Sequence, residues 1–467
     1  MNYSTPRSDY SIAAMHPLKF TVAFLGALSL TTSSPISQLN NPEQERQIRD
    51  LLSTKPVYKD LPPLKAFPSD SERTIKAGEI PKYVIEYAPL VFLYSEERYM
   101  PYNIEKYVQN FKPTWRNGTT INIDGKDPED PDYKTQKLHL RDLEKLPNST
   151  PDEMVFLTSL QDFDKDPEFI TGKHNIPNYY TGEIKDAPAV LIVTDKGNGW
   201  VDAYWFYFYS FNLGPFVMGF GPFGDHVGDW EHSLVRFYKG EPVVVWMSAH
   251  GGGGAYFYKH MEKESLEKTG VGFSNGKQPV IFSARGTHAN YPSTGQHGHD
   301  LPYAILSDFT DRGGLWNPAL NYLAYTYTPE DGIELKVIQA NGSHPFREQE
   351  YGDWLYYDGA WGDPKLDPAD ERQHWSPFEW KYIDGPTGPL TKNLVRLSPC
   401  QRAKWWNFWS GCNVRRYIQY GEGMFDQEGN NSCGSLYKNI ESPWIRKIVQ
   451  ILTWHGWGCF ITDLFYG

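Results

Sequence analysis

The sequence predicts a mainly β protein whose core is an antiparallel β-sandwich or jelly roll, with long loops and few helices. Three observations support this prediction: short apolar runs follow one another from residue 187 onwards, glycine-rich turns separate them, and helical spacing is rare. Aromatic residues make up 15% of the 467-residue chain and recur within the alternating runs, as on sheet faces. The composition, 40% hydrophobic and 22% charged, is that of a globular protein with a large core.

The first 80 residues are predicted to precede this core. Residues 1–36 contain an apolar stretch at 20–30 that is too short to span a bilayer and fits a signal peptide. An amphipathic N-terminal helix is the alternative interpretation. Residues 37–80 are polar and interrupted by prolines, which favours a leader that either lies over the main body or moves freely.

The core domain is predicted over 81–395, with an insertion at about 112–185 that is rich in Asp, Asn, Gly, Pro and Lys. Two hairpins form its centre, and one central strand carries aromatic residues on both faces, which is typical of a strand covered on both sides. The predicted strands are 83–94, 189–193, 200–211, 233–238, 243–248, 280–283 and 322–327. The best helical candidate is 258–268.

Residues 396–467 are predicted to form a C-terminal subdomain that contains all four cysteines: Cys400, Cys412, Cys433 and Cys459. This even number suits two disulfides in an oxidising compartment, with three pairings open. A zinc site is the alternative, although the chain has no Cys-x-x-Cys. Four glycosylation sequons also favour export, and they begin at Asn117, Asn148, Asn341 and Asn430.

The net charge of −12 bears on the partners of the chain. Binding to nucleic acid phosphates needs a clustered basic surface, which this sequence lacks, so nucleic acid is excluded as a partner. No transmembrane span is expected after the signal peptide. The chain is therefore predicted to enter the secretory pathway and to reach the vacuole or the extracellular space.

The stretch 224–232 carries the most informative motif, with two histidines and three acids in a glycine-hinged segment. Strand periodicity places Asp229 and Glu231 on one face, and His226 can fold back toward them. One imidazole and two carboxylates, completed by water, suit Mg²⁺, Ca²⁺ or Mn²⁺. These three residues are the predicted metal ligands. The alternative is a buried polar network in which the two acids pair with Arg236 or with loop amides.

Three further residues are possible neighbours of this site: Asn212, His232 and His288. His288 follows the predicted strand 280–283 and a glycine turn, so it could complete the metal site or act as a general base. The alternative is a turn histidine that is hydrogen-bonded to the backbone. The sequence identifies no residue as catalytic.

Seven sequence blocks together are typical of one family: 87–90 with 97–101, 195–199 with 201–206, 226–232, 283–291, 311–316, 359–363 and 385–389. On these blocks the chain resembles the fungal vacuolar protein sorting-associated protein 62 family over about residues 80–400. The resemblance implies a link to the delivery of proteins to the vacuole. It implies no chemical step and no catalytic residue.

The central motif is also similar to the heptapeptide Gly-His-Arg-His-Asp-Trp-Glu of necrosis- and ethylene-inducing peptide-like proteins. Those are secreted β-sandwich toxins that hold a divalent cation and engage membrane sphingolipids. The resemblance implies that His226, Asp229 and Glu231 fall on cation ligands. Gly228 replaces the second histidine, and Asn212 is the nearest counterpart of a further aspartate ligand, which weakens any implication of toxin activity.

Three hypotheses for function follow. The first is a cation-binding protein of the secretory pathway with a role linked to vacuolar protein sorting. The second is a metal-dependent hydrolase with His288 as proton shuttle. The third is a cation-dependent binder of membrane lipid or glycan.

Overall fold

The computed structural model describes residues 61–76, 79–123, 137–150, 153–216, 221–263, 276–298, 306–328, 334–336, 352–375, 379–401, 414–416, 418 and 448. Strands dominate these residues. In chain order the strands are β1 (Leu90–Phe92), β2 (Phe111–Trp115), β3 (Val155–Ser159), β4 (Ala189–Asp195), β5 (Trp200–Asn212), β6 (His226–Tyr238), β7 (Glu241–Ala249), β8 (Gly252–Phe257), β9 (Val280–Ser283), β10 (Asn290–Tyr291), β11 (Gly295–Gly298), β12 (Ser307–Thr310), β13 (Leu315–Trp316), β14 (Tyr322–Thr328), β15 (Glu334–Lys336) and β16 (Val414–Arg415).

Helices in the described residues are short. The α-helices are Lys82–Glu86, Ile104–Val108 and Glu168–Thr171, and the 3₁₀ turns are Leu140–Lys145, Phe163–Lys165, Tyr258–His260, Pro318–Leu320, Asp353–Tyr356 and Pro389–Lys392. Within this part of the chain, no helix has the length and the apolar character that crossing a membrane requires. The prediction of a mainly β protein with few helices is confirmed.

An eight-stranded sheet in the order β15-β14-β4-β5-β6-β7-β8-β16 is the largest element of the fold. The strands from β4 to β8 form an antiparallel meander, as the two predicted hairpins require. However, β14 lies parallel to β4 and β16 lies parallel to β8, so the expectation of a wholly antiparallel core is wrong. Both strands return to the sheet after long stretches of chain, and such connections permit parallel pairing where a tight hairpin does not.

A second sheet in the order β10-β9-β1-β13 packs against one face of the large sheet. The side chains between them form the second core cluster, which includes Trp205, Val235, Ile281 and Trp316. The opposite face of the large sheet carries the first core cluster, which includes Phe206, Trp230 and Trp361. Because β5 is covered on both sides, all thirteen of its residues are buried, as its two aromatic faces predict.

Two predicted elements differ from the structure. The first half of the predicted strand 83–94 is the helix Lys82–Glu86, and only Leu90–Phe92 is a strand. The predicted helix 258–268 begins as the 3₁₀ turn Tyr258–His260, the backbone of Met261 after it is extended, and residues 264–268 lie outside the described residues. Met261 is buried in the second core cluster and the next residues pair with the segment before β9, so tertiary contacts override the local helical preference.

The segments around the core are tied to it by backbone contacts. Residues 61–76 of the leader lie over the turn between β4 and β5, where the indole of Trp200 donates to the carbonyl of Pro62 at 2.9 Å. Farther along the chain, Leu394 and Leu397 are buried in the first core cluster. The domain boundaries themselves stay predictions, and the signal peptide at 1–36 lies outside the described residues.

Candidate functional site

The motif residues form the beginning of β6 rather than a loop before it. In the register with β5, Asp229 lies opposite Tyr209 and Glu231 lies opposite Tyr207. The side chains of Asp229 and Glu231 point to the face that packs on the second core cluster, as strand periodicity predicts. Trp230 lies on the opposite face, in the first core cluster.

Gly228 sets the shape of the motif. It has a φ of +72°, and a Cβ atom at this position would lie 2.0 Å from the carbonyl oxygen of Trp361. Only glycine fits such a conformation and such a close backbone approach. The turn brings the carbonyl of Gly228 within 2.6 Å of Nδ1 of His226, which donates to it. Burial lowers the pKa of His226, although the charge of Asp229 acts in the opposite direction.

His288 is the residue that Asp229 binds. Its Nδ1 donates to Oδ2 of Asp229 at 2.9 Å, and its Nε2 donates to the carbonyl of Tyr99 at 3.0 Å. Nε2 also lies 3.7 Å from Oε1 of Glu97, and the ring stacks on Tyr209 with centroids 3.7 Å apart. Burial alone would lower the pKa of His288, but the charge of Glu97 and the bond to Asp229 outweigh it and raise the pKa to about 9.

This environment bears on the hydrolase hypothesis. The side chain of His288 is fully buried and both of its ring nitrogens are engaged. A proton shuttle needs a nitrogen that can reach water or substrate. The geometry of His288 gives that role no support and is instead that of a charged group between two carboxylates.

Glu231 is bound by Ser248, whose hydroxyl donates to its Oε2 atom and accepts from the backbone N–H of His232 at 2.8 Å. Burial raises the pKa of Glu231 well above its ordinary value, and the nearby charge of Asp229 raises it further. The charge of Lys392 acts in the opposite direction. Burial and the charge of Asp229 therefore both favour the neutral, protonated form of Glu231.

The other predicted neighbours do not approach the two acids. Asn212 lies opposite His226 in the sheet, and its amide donates to the carbonyl of Gly224 at 3.1 Å. His232 lies on the opposite face, stacked on Phe206, and both of its ring nitrogens are buried without a partner. The alternative in which Arg236 pairs with the motif acids is wrong, because Arg236 forms two 2.7 Å bonds to Asp202.

The structure adds two residues that the sequence did not single out for this site, Glu97 and Ser248. Each of the three predicted ligands already has a protein partner: Gly228 for His226, His288 for Asp229 and Ser248 for Glu231. Within the described part of the chain, no three His, Cys, Asp or Glu side chains are placed so that they could hold a metal ion in this arrangement.

The predicted modification sites are only partly described. Asn117 and Asn148 are exposed, while Asn341 and Asn430 lie outside the described residues. Cys400 packs against the first core cluster and is not a free thiol. Disulfide pairing and glycosylation stay predictions, because Cys412, Cys433 and Cys459 also lie outside the described residues.

Some solved structures resemble this chain weakly. Necrosis and Ethylene inducing Protein 2 from the causal agent of cocoa's Witches Broom disease shares 12% identity, covers 51% of this chain and 79% of its own, and has a TM-score of 0.21. A structure described as "Toxin fold for microbial attack and plant defense" shares 10% identity over 56% of this chain and 82% of its own, with a TM-score of 0.22. Similarity at this level carries no conclusion about function.

Similarity in sequence is far stronger. A family model described as Vacuolar protein sorting-associated protein 62 matches residues 48–313. The Saccharomyces cerevisiae protein of that name is 49% identical over 438 residues, which are 89% of this chain and 88% of the relative. Putative vacuolar protein sorting-associated protein TDA6 of the same organism is 48% identical over 423 residues, with 85% and 86% coverage. The chain therefore belongs to the vacuolar protein sorting-associated protein 62 family.

Proposed function

We propose that the chain has a role linked to vacuolar protein sorting and acts within the secretory route. The observation that carries this proposal is the 49% identity over 89% of the chain to a relative named for that process. The apolar segment at 20–30, which fits a signal peptide, supports entry into the same route.

A complementation experiment tests this role. A Saccharomyces cerevisiae strain that lacks both relatives would express this chain, and the fraction of a soluble vacuolar hydrolase that is secreted into the medium would be measured. We expect the double deletion to raise the secreted fraction and this chain to lower it. An unchanged secreted fraction in the deletion strain, or failure of a well-expressed chain to lower it, would contradict the proposal.

We also propose that Asp229 and Glu231, with His226, bind Mg²⁺, Ca²⁺ or Mn²⁺. Two buried carboxylates on one strand face support this, because His288 is the only cationic group in hydrogen-bond contact with either of them among the described residues. A hard divalent cation prefers such oxygen ligands and would stabilise the charged form of both carboxyl groups. Binding would require Glu231 to leave Ser248 and His226 to leave Gly228.

Metal content measures this second proposal directly. Purified wild-type chain, Glu231→Gln and the control Glu241→Gln would be equilibrated with each cation, desalted and analysed by mass spectrometry of the metals. Glu241 is exposed at the start of β7, so its substitution should leave bound metal unchanged. Loss of metal in Glu231→Gln alone is expected, whereas equal metal in all three proteins would refute the site.

A further inference from the structure

A groove of about 870 Å³ lies between the chain after β3 and the segment that follows Trp361. It shares no residue with the motif on β6. Its lining residues come from two stretches of the chain, 159–165 and 363–372.

The groove is strongly acidic. Five of its lining residues are acids and two are basic, so acidic side chains outnumber basic ones by three. Arg372 is held between Asp162, at 3.0 Å, and Asp370, at 2.7 Å. Lys165 lies 3.5 Å from Asp162. The three remaining acids, Asp164, Asp363 and Glu371, have no basic partner at ion-pair distance among the described residues.

Within this acidic groove, Asp363 has a carboxyl group that is fixed in position and incompletely hydrogen-bonded. Its Oδ1 accepts from the backbone N–H and the hydroxyl of Ser159 at 3.1 and 3.0 Å, so the carboxylate is fixed. Asp363 is only 9% exposed, and its Oδ2 atom is buried without a hydrogen-bond partner. A buried carboxylate oxygen without a donor is costly, and an arriving cationic donor removes that cost.

We propose that this groove binds a lysine or arginine side chain from a basic segment of a partner protein, with Asp363 as the central acceptor. A charged donor would satisfy Oδ2 of Asp363, and Asp164 and Glu371 would add attraction. The groove also has apolar walls: Leu160 is 41% exposed and Leu366 lines the second side. Long basic side chains place their aliphatic stems on such surfaces, and the groove is far larger than one ammonium group.

Fluorescence polarisation with the purified full chain tests the proposal. The probe is a labelled Gly-Lys-Leu-Lys-Gly peptide, and Gly-Gln-Leu-Gln-Gly is its neutral counterpart. We expect the lysine peptide alone to bind, with an affinity that falls as salt rises. Asp363→Asn should weaken binding about tenfold, the loss expected for one charge-assisted hydrogen bond. The exposed Glu371→Gln should weaken it less, and Glu96→Gln, an exposed acid outside the groove, should not change it.

Three other outcomes of the binding experiment would contradict the proposal. Equal binding of both peptides would show that charge does not direct recognition. Full affinity in both Asp363→Asn and Glu371→Gln would show that the peptide binds elsewhere. If Asp363→Asn fails to fold, the affinity of Glu371→Gln alone decides whether the peptide binds in the groove. Binding of spermidine without binding of the lysine peptide would make the groove a polyamine site and overturn the assignment to a protein partner.

Discussion

Gly228 shows how one residue sets the geometry of the motif. Its positive φ turns the chain between His226 and Asp229, and its missing side chain lets the carbonyl of Trp361 approach. The hydroxyl of Tyr107 donates to the same carbonyl at 2.6 Å, so the contact joins β6 to two distant segments. A side chain here would disturb the backbone conformation and the packing together.

Gly228→Ala should therefore destabilise the protein by more than about 2 kcal/mol, since conformational strain of about 1 kcal/mol adds to a backbone clash. Gly276 is the matched control, because its φ of +73° is nearly the same and nothing lies within 4 Å of its Cβ position. Gly276→Ala should lower the free energy of unfolding only by the conformational strain, without the contribution of a backbone clash. Urea unfolding measures both, and equal losses would show that the contact with Trp361 contributes nothing.

Asp363 carries a second prediction at the level of one residue. Burial raises its pKa to about 7, against the opposing bonds from Ser159. An acid with a raised folded pKa contributes stability below its unfolded pKa, near 3.8, and loses it as the pH rises through about 7. The stability of the wild type relative to Asp363→Asn should thus fall between pH 5 and pH 8, on the order of 2 kcal/mol. A pH-independent difference in urea unfolding would disprove the raised pKa.

The sequence predicted which motif residues share a face, but not what they bind. Asp229 and Glu231 lie on one face because strand periodicity is local, and local patterns can be read from sequence. Their partners, His288 and Ser248, arrive from other strands, and Glu97 arrives from a segment far earlier in the chain. Such partners depend on tertiary packing, which a single sequence does not reveal.

The pairing of β5 with β6 includes a buried ion pair. Asp202 and Arg236 are register partners on the two strands and form two 2.7 Å bonds. Lys196 and Arg396 are also buried nearby, so three cations surround the buried Asp202 in this cluster. Burial lowers the pKa of Lys196 to about 7, which reduces the excess of positive charge.

Arg236→Met should cost about 3–5 kcal/mol, because it leaves Asp202 buried without its main partner. Asp202→Asn should cost a similar amount, since it leaves three cations unopposed. The double variant should be more stable than the sum of the single losses predicts. Arg116→Met is the control: it breaks a two-bond pair with Asp384 at an exposed site and should cost less than about 1 kcal/mol. Additive losses in a double-mutant cycle would rule out the coupling.

At the scale of elements, the sequence predicted β4 to β7 because each combines apolar runs with a turn signal at its end. The predicted strand 200–211 is β5 within one residue. The predicted strand 233–238 begins earlier in the structure, at His226, so that β6 includes the whole motif 226–232. The parallel additions of β14 and β16 could not be predicted, because they depend on long-range pairing that leaves no local pattern.

Across the whole molecule, burial on both faces of the large sheet should produce unequal local stability. Residues 201–206 of β5 and 233–238 of β6 have a paired strand on both sides and lie between the two core clusters, so their amides should exchange with solvent only through global unfolding. The β11–β12 pair is a separate two-stranded ribbon and should open locally at lower free energy. Hydrogen exchange at rising urea, below the unfolding midpoint, separates the two cases, because urea accelerates global unfolding far more than local opening. The exchange rates of these amides in β5 and β6 should rise steeply with urea concentration, while the exchange rates in β11 and β12 should stay nearly constant. Equal urea dependence in all four strands would mean that the ribbon and the large sheet unfold as one unit.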